Sequence, residues 1–360
     1  MIISRAVVLL SAFSLWLAAA RPAHTKEAEL DEIIVTATLR NTPQIDYAGS
    51  ATVLDAATLR AAGQQNFEDV VALVPNINWA GDTSLPRYFQ IRGIGELQQY
   101  QGAPNPSVGF LVDDIDYSGL GGAATLFDVD QIEVLHGPQG TLYGANALAG
   151  LVKVRSAEPA SEFGGRVELG LGDYGTRSYG AVLTGPVAAL DSAFRLAAQR
   201  YTSDGYYTNA YLGRDTNRRD ELTLRGRWRY QPADELRIDL SVLRVQLNNG
   251  YDEWTIDGSR TTQADHPGVD TQYSTGASAR ATFTGLRAAT VTAIATAAQT
   301  AVNYSYDGDW GNPLLWAPYT FDYFEGQVRY RSTRTLELRV ASPAAAHGLC
   351  LLYTSDAADE

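Results

Sequence analysis

The chain has 360 residues, a formal net charge of −13 and a sequence pI of about 4.8. This acidity argues against nucleic acid as a partner, because phosphate binding requires a basic face. The one cysteine, Cys350, cannot form a disulfide within the chain, and the 20 tyrosines and 33 glycines are typical of a β-rich exported protein rather than a small disulfide-stapled one.

The first 20 residues have the pattern of a secretory signal peptide. Arg5 supplies the positive charge, residues 6–20 are apolar, and residues 18–20 are three alanines that offer a cleavage site. The apolar run is shorter than the roughly 20 residues that a spanning helix needs. We therefore expect export and removal of residues 1–20. Later apolar runs are shorter still, so a membrane-embedded mature protein would have to be a closed β-barrel.

Residues 40–155 predict a mixed α/β domain. Residues 56–63 predict a short helix that ends at Gly63, and residues 66–75 predict a second one, with Asn66 as its cap and Pro75 as its end. Four short apolar runs predict strands: Tyr88–Arg92, Val108–Val112, Gln131–Val134 and Gly150–Val154.

Residues 164–349 consist of long segments in which polar and apolar residues alternate. Strict alternation indicates strands whose two faces meet different surroundings. A soluble sandwich and a membrane barrel both fit, but the row Arg225, Arg227 and Arg229 on one strand face favours a barrel with a wet interior.

Turn lengths in this region also differ. Asp173–Arg177 and Gln231–Glu235 predict short turns, and Ser203–Asp220 and Leu247–Ser274 predict long loops, with the two kinds expected on opposite rims. Residues 170–175 match G-x-G-x-x-G. Because alternating strands flank the match and no helix follows, it predicts a hairpin turn rather than a dinucleotide site.

The segment QIEVLHGPQGTLYGANALAGLVKV, residues 131–154, resembles the plug-domain signature of TonB-dependent outer-membrane receptors. The runs QIRGIG (90–95), VGFLVDD (108–114) and TLELRVASP (335–343) resemble further motifs of that family. His136 departs from the pattern, since the family usually has Arg there. In the family that residue and the neighbouring Glu, here Glu133, are thought to pair with charges on the barrel wall, and a neutral His weakens this interpretation. The plug residues that the resemblance assigns are Arg92, Gly93, Glu133, Gly137, Pro138, Gly140, Tyr143 and Gly144.

Residues 31–38, DEIIVTAT, form a short β-prone stretch after the predicted signal peptide. They could be the first strand of the following domain, or an extended segment that adds to the sheet edge of a partner. The stretch resembles the TonB box of the same family, which assigns partner binding to Glu32, Ile33, Ile34, Val35, Thr36 and Ala37.

The resemblance implies a mixed α/β plug domain followed by a transmembrane antiparallel β-barrel. It implies residues 1–20 as signal peptide, 21–39 as a periplasmic segment with the TonB box, 40–155 as the plug and 164–349 as the first part of the barrel. It further implies a transporter in the outer-membrane lipid of a Gram-negative cell, driven by TonB with its ExbB–ExbD energy complex, with neither cofactor nor enzymatic activity.

The expected cargo is a ferric siderophore complex; vitamin B12, haem and oligosaccharides use the same architecture. Candidate cargo contacts in loops expected at the plug apex are Asp82, Gln98, Gln99, Tyr100 and Tyr117. Two other classes of protein are a passive porin or surface adhesin, which would lack the TonB box and plug, and a secreted β-sandwich enzyme or lectin, which would need a catalytic constellation that the sequence does not offer.

An acidic trio, Asp113, Asp114 and Asp116, could suggest a metal or acid–base site. It lacks the calcium-loop pattern and a partnering His, so we expect solvated loop carboxylates and no metal site.

Residues 350–360 resemble the translation of a sequencing adapter. We therefore expect the authentic sequence to stop near Leu349, leaving about eight strands of a barrel that in the family has about 22.

Overall fold

The computed structural model of the protein describes residues 33–37, 42–63, 65–81, 83–97, 106–123, 125–342 and 352–359. The predicted signal peptide, Glu32 and the candidate cargo contacts Asp82 and 98–100 lie outside these residues. The chain divides into residues 1–34 and residues 35–360, and the contacts below lie within the second unit.

The first part of the described chain is a small mixed α/β domain, the plug. Its five-stranded sheet has the order β3-β8-β9-β6-β7, in which β6 and β9 run parallel and the other neighbours antiparallel. A two-stranded pair, β4-β5, accompanies it. The elements are β1 (Ile34–Val35), β2 (Thr42–Pro43), β3 (Ser50–Asp55), α1 (Ala56–Ala62), α2 (Phe67–Val70), β4 (Ile77–Ala80), β5 (Tyr88–Ile91), β6 (Val108–Val112), β7 (Ile115–Asp116), β8 (Val129–His136), α3 (Gly140–Tyr143) and β9 (Gly150–Ser156).

Both predicted helices are present, and the four predicted strands correspond to β5, β6, β8 and β9. Helix α1 ends at Gly63, whose φ of 63° suits a residue without Cβ. Asn66 stands at the start of α2 as predicted, and the Asn66 backbone N–H donates a hydrogen bond to the Asp69 carboxylate at 3.1 Å. The Asn66 side-chain amide, however, donates at 3.1 Å to Glu221 of the large antiparallel sheet formed by residues 164–359, which we call the wall. The residue therefore joins the plug to the wall as well as starting a helix.

The plug core is built around three aromatic rings and continues into the wall. Phe89 lies with its ring centroid 5.1 Å from that of Phe67 and 5.4 Å from that of Phe110. The same apolar cluster includes Leu243 and Val245 of the wall. Plug and wall thus bury one continuous apolar surface, which is the dominant stabilising contribution in such packing.

The second part is a nine-stranded antiparallel sheet whose strands follow one another across the sheet in chain order. Its strands are β10 (Gly164–Leu171), β11 (Arg177–Val187), β12 (Ser192–Ser203), β15 (Arg219–Ala233), β16 (Leu236–Tyr251), β18 (Gly268–Leu286), β19 (Ala289–Asp307), β20 (Phe324–Ala341) and β21 (Leu352–Asp359). The loops between them carry β13 (Tyr207–Asn209), β14 (Arg214–Thr216), β17 (Thr261–Thr262) and α4 (Pro313–Trp316). Eight wall strands precede residue 350, as predicted, and the backbone of residues 352–359 adds a ninth.

The two faces of this sheet differ as the alternation predicted. Arg225 is buried against the plug, while Leu224 beside it is exposed on the outer face. The outer face continues with Val167, Leu183, Leu240 and other exposed apolar side chains. Among the described residues no helix has the length and apolar character to cross a membrane.

The turn between β10 and β11 corrects one expectation. Gly172 N–H donates to the Thr176 carbonyl at 3.0 Å, so the G-x-G-x-x-G match is the predicted hairpin turn. The turn does not lie on the rim of the short connections: the Asp204 N–H, in a long loop, donates to the Tyr174 carbonyl at 2.9 Å. The prediction that short turns and long loops occupy opposite rims is therefore wrong for Asp173–Arg177.

Candidate functional site

The segment Val35–Ala37, which we call the docked segment, is bound to the plug through a single carboxylate. The Thr36 N–H donates to both oxygens of Glu133 at 3.0 and 2.9 Å, and the Thr36 hydroxyl donates at 2.5 Å. The Ala37 N–H donates to Glu133 Oε2 at 2.8 Å. Two consecutive backbone amides and one hydroxyl therefore converge on one side chain.

Glu133 lies in β8, between β3 and β9, and only 1% of its surface is exposed. A carboxylate at such a position is costly unless donors surround it. The docked segment and Gln131, whose side-chain amide donates at 3.0 Å, supply these donors. Hydrogen bonds to an ionised acceptor are about twice as strong as neutral ones, so the carboxylate and the segment stabilise each other.

Apolar packing completes the docking. Val35 and Ala37 are fully buried and pack with Leu135 and Leu151 of β8 and β9. The hydroxyl of Tyr143, at the end of α3, donates to the Ala37 carbonyl at 2.8 Å. Two of the plug residues assigned by the resemblance, Glu133 and Tyr143, therefore hold the segment for which the sequence predicted partner binding.

Lys153 is a member of the site that the sequence interpretation missed. It stands directly opposite Glu133 across the β8–β9 pair, and its Nζ donates to the Thr36 hydroxyl at 3.3 Å. Burial lowers the pKa of Lys153, while the carboxylates of Asp114 and Glu133 oppose that shift. A signal was present, since Lys153 is one of two lysines in the whole chain and interrupts an apolar strand.

The acidic trio is not a set of solvated loop carboxylates, so that expectation is wrong. Asp114 pairs with Arg280 of the wall, whose Nε donates at 3.0 Å. Burial favours the neutral acid, but Arg280 and Lys153 outweigh it and lower the pKa of Asp114 to about 2. Asp113 accepts from the Ser156 N–H and hydroxyl, and Asp116 from the Asn146 amide. The trio fastens plug strands to each other and to the wall.

A polar cavity of about 590 Å³ lies between the docked segment, the plug and the wall. Charged side chains of both signs line it, among them Asp113, Asp114, Lys153, Arg227, Asp239, Arg280 and Arg339. Among the described residues no group of acidic, His or Cys side chains is arranged to hold a metal ion. The cavity gives water access to the site where Thr36 is bound.

The remaining plug-motif residues shape turns. Gly137 and Gly144 have φ values of 106° and 74°, which favour glycine, and Arg92 and Gly93 form a turn with φ values of 55° and 78°. Pro138 and Gly140 lie between β8 and the first turn of α3.

His136 is buried, and its Nε2 lies 3.3 Å from the Thr52 hydroxyl. Burial, with a smaller contribution from Arg92, lowers its pKa and favours the neutral ring. Glu133 binds the docked segment and Gln131, rather than the barrel-wall charges that the family interpretation suggested.

Of the candidate cargo contacts, only Tyr117 lies in the described part of the chain. Tyr117 is 0% exposed and packs against the wall beside Gly276. The expectation that it lies on an open apical surface is therefore wrong. Arg87 makes a different kind of contact, between the plug and the wall. It pairs with Asp270 of β18 and donates to Gln272 at 2.6 Å. All three of these side chains are buried.

Comparison with known proteins finds the same architecture. Residues 43–151 match the model of the TonB-dependent receptor plug domain. The pesticin receptor of Yersinia pestis is 27% identical over 195 residues, which are 54% of this chain and 28% of the relative. The ferripyoverdine receptor of Pseudomonas aeruginosa is 28% identical over 48% of this chain and 20% of its own length.

Solved structures extend the similarity to the wall. The ferric yersiniabactin uptake receptor of Yersinia pestis has a TM-score of 0.70 at 20% identity, over 83% of this chain and 46% of that receptor. The pyoverdine receptor of Pseudomonas aeruginosa has a TM-score of 0.68 at 16% identity, over 90% of this chain and 48% of that receptor. The chain thus spans about half the length of the solved receptors that it resembles.

Proposed function

We propose that the protein is a TonB-dependent receptor that takes up a ferric siderophore complex across the outer membrane by energy-coupled transport, because residues 43–151 match the plug-domain model of that family. Relatives described as pesticin, ferripyoverdine and ferrioxamine B receptors support this cargo class. In this proposal residues 1–20 direct export, residues 21–39 lie in the periplasm, residues 40–155 are the plug and residues 164–349 begin the barrel.

The docked segment is the observation that carries the proposal. In the proposed cycle TonB, energised by ExbB–ExbD, pairs with residues 33–37 as an added strand, for which their backbone N–H groups are needed. Two of those groups, on Thr36 and Ala37, are bound to Glu133. Docking on the plug and pairing with a partner strand therefore compete for the same donors. Release of the segment is a step that cargo binding can control.

Release also loosens the plug where it meets the wall. Departure of Thr36 removes donors from the buried Glu133, and it removes the hydroxyl to which Lys153 donates. Lys153 and the bound Thr36 both line the polar cavity, so water from it can replace the lost contacts. A pull on the segment then acts on the strands β8 and β9 that carry these two side chains.

Replacing Ile34 by Pro tests the coupling. Proline has no N–H and cannot donate to a partner strand. In the full-length receptor we expect Ile34→Pro to abolish uptake of radiolabelled ferric siderophore while binding to energy-depleted cells stays at the wild-type level. The matched control is Ile34→Ala, which keeps the N–H and should retain most of the uptake. Wild-type uptake by Ile34→Pro would refute the proposal.

A further inference from the structure

An aromatic ladder on the wall rises from the plug towards the long loops. It consists of Tyr251, Trp254, Tyr304, Tyr306 and Trp310. The centroids of Tyr251 and Tyr304 are 5.0 Å apart, and those of Tyr304 and Tyr306 are 5.6 Å apart. Trp254 and Trp310 stack at 5.3 Å with 5° between their planes. The ladder is thus one connected surface made by the ends of β16 and β19 and the loops that follow them.

The ladder changes from buried to open along its length. Tyr251 and Tyr304 are buried at the plug end, where Tyr304 continues the row of buried β19 side chains formed by Ala298 and Val302. Trp254 and Trp310, at the loop end, each keep 38% of their surface exposed. Trp254 also contacts Tyr306, with ring centroids 6.4 Å apart, so the exposed rings continue the buried part of the ladder. Large aromatic rings that are packed on one side and open on the other are typical of a surface that contacts a ligand.

The charge around the ladder is one-sided. Residues 245–267 and 303–328 contain one arginine, Arg260, and eight carboxylates: Asp252, Glu253, Asp257, Asp265, Asp307, Asp309, Asp322 and Glu325. Arg260 is engaged elsewhere, with its guanidinium over the ring of Tyr206 at 5.5 Å. The nearest plug cation, Arg87, is buried and paired with Asp270. The next cation along the chain, Arg329, donates to the Tyr88 hydroxyl and the Gly119 carbonyl of the plug. Carboxylates thus outnumber arginines by eight to one in these two segments.

We infer that this surface selects the charge of the cargo: the receptor takes a neutral or cationic iron chelate that lies against Trp254 and Trp310, and it rejects anionic chelates. The inference rests on the proposed function and specifies its substrate class. Aromatic faces attract cations and bind neutral rings. The carboxylates attract a cationic chelate during approach and repel an anionic one, since unfavourable charge juxtaposition costs several kcal/mol. Specificity then comes from repulsion as well as contact.

The test uses cells in which the full-length receptor is the only receptor for ferric chelates. Three radiolabelled probes are compared: a ferric tris-hydroxamate with a free ammonium group, a neutral ferric tris-hydroxamate, and an anionic ferric tris-catecholate. We expect binding and TonB-dependent uptake of the first two and neither for the third. Trp254→Ala and Trp310→Ala should each weaken binding about tenfold, as loss of one aromatic contact of this kind predicts.

Two further variants sharpen the result. Tyr330→Ala removes an aromatic ring from the exposed outer face of β20 and should leave binding unchanged. Asp257 is an exposed loop residue that follows Trp254 closely in the chain. Asp257→Lys replaces a negative charge by a positive one and should therefore raise binding of the anionic probe.

The possible failures are distinguishable. TonB-dependent uptake that favours the anionic probe, or binding that is insensitive to both tryptophan substitutions, overturns the inference and leaves the proposed function standing. Absence of TonB-dependent uptake for all three probes refutes the proposed function and the inference with it.

Discussion

The docked segment and the side chain of Arg225 are both held by buried hydrogen bonds, but in opposite arrangements. Arg225 reaches inward from β15 and donates to the Thr125 and Phe127 carbonyls at 2.6 and 3.1 Å and to the Ser156 hydroxyl at 2.8 Å. One wall residue therefore serves several acceptors of the plug. In the docked segment several donors converge on one plug acceptor, Glu133.

This difference explains how the Arg225 contact can be permanent while the docking of Val35–Ala37 is reversible. Loss of the Arg225 contacts would leave three acceptors of the plug interior without a donor, at a cost of about 1–3 kcal/mol for each group that water cannot reach. Release of the docked segment concentrates its cost on Glu133, and the departing Thr36 lines a polar cavity from which water can reach the vacated donor positions. The plug can thus stay fixed to the wall while its N-terminal segment leaves.

The largest expected effect is that of Arg225→Met. Removal of the guanidinium leaves the acceptors at Thr125, Phe127 and Ser156 without their donor, so the plug segment around them should open more often. We expect the local opening free energy to fall by about 3 kcal/mol. Hydrogen exchange at the Leu126 and Val129 amides of the full-length receptor should then be about a hundredfold faster.

The matched control is Arg244→Met. Arg244 is exposed on the outer face of β16 and donates to Thr275 and to the Gln246 side chain rather than to the plug, so its loss should change exchange at Leu126 and Val129 by less than about twofold. Equal effects of the two substitutions would show that Arg225 does not anchor the plug.

An intermediate effect is expected for Glu133→Gln. The amide keeps the shape of the side chain but replaces one acceptor oxygen by a donor that faces the N–H groups of Thr36 and Ala37. Loss of hydrogen bonds to a charged acceptor costs about 2 kcal/mol. Exchange at the Thr36 and Ala37 amides should be about thirtyfold faster, and the Leu126 amide should be unaffected.

The exposed Glu162→Gln serves as control and should leave both sets of amides unchanged. If Glu133→Gln accelerated exchange throughout the plug instead, the docked segment and the plug would open together, and the distinction drawn between the two contacts would fail.

A last effect, separate from both contacts, is a pH dependence at α2. Arg219 faces both Glu68 and Glu221, at 3.5 and 4.0 Å. Burial raises the pKa of Glu68 from 4.5 to about 8, although Arg219 opposes the shift. Between these pH values the unfolded chain has lost a proton that the folded protein retains, so stability falls as the pH rises from about 4.5 to 8.

Glu68→Gln should remove that dependence. We expect thermal unfolding of the variant to change less between pH 5 and pH 8 than that of the wild type, with exchange at Thr36 unaltered at both pH values. A variant that loses stability between pH 5 and pH 8 as steeply as the wild type would assign the pH dependence to another group.

The sequence predicted those elements whose signals are local. Alternation in residues 219–233 predicted the inward arginines, and Gly63 and Asn66 predicted the ends of two helices. Strands β3 and β4 were missed although turn residues such as Gly49 and Gly81 adjoin them, because each is short and is defined by its pairing, β3 with the distant β8 and β4 with β5.

The candidate site was predicted in parts but not as a whole. Family motifs pointed separately to Thr36 and to Glu133, which are 97 residues apart. Their contact depends on the order of strands in the plug sheet, and no local pattern encodes it. The buried role of Asp114 was missed for the same reason, because its partner Arg280 lies 166 residues further along the chain.

The short distance along the chain between the docked segment and the plug has a kinetic consequence. Only residues 38–41 separate Ala37 from β2. A released segment remains tethered beside its own binding site, at an effective concentration of the order of millimolar for a short linker. Any partner that holds the segment must outcompete this intramolecular rebinding. In the proposed cycle, dissociation of the partner is followed by intramolecular rebinding of the segment to Glu133, and this step requires no second protein.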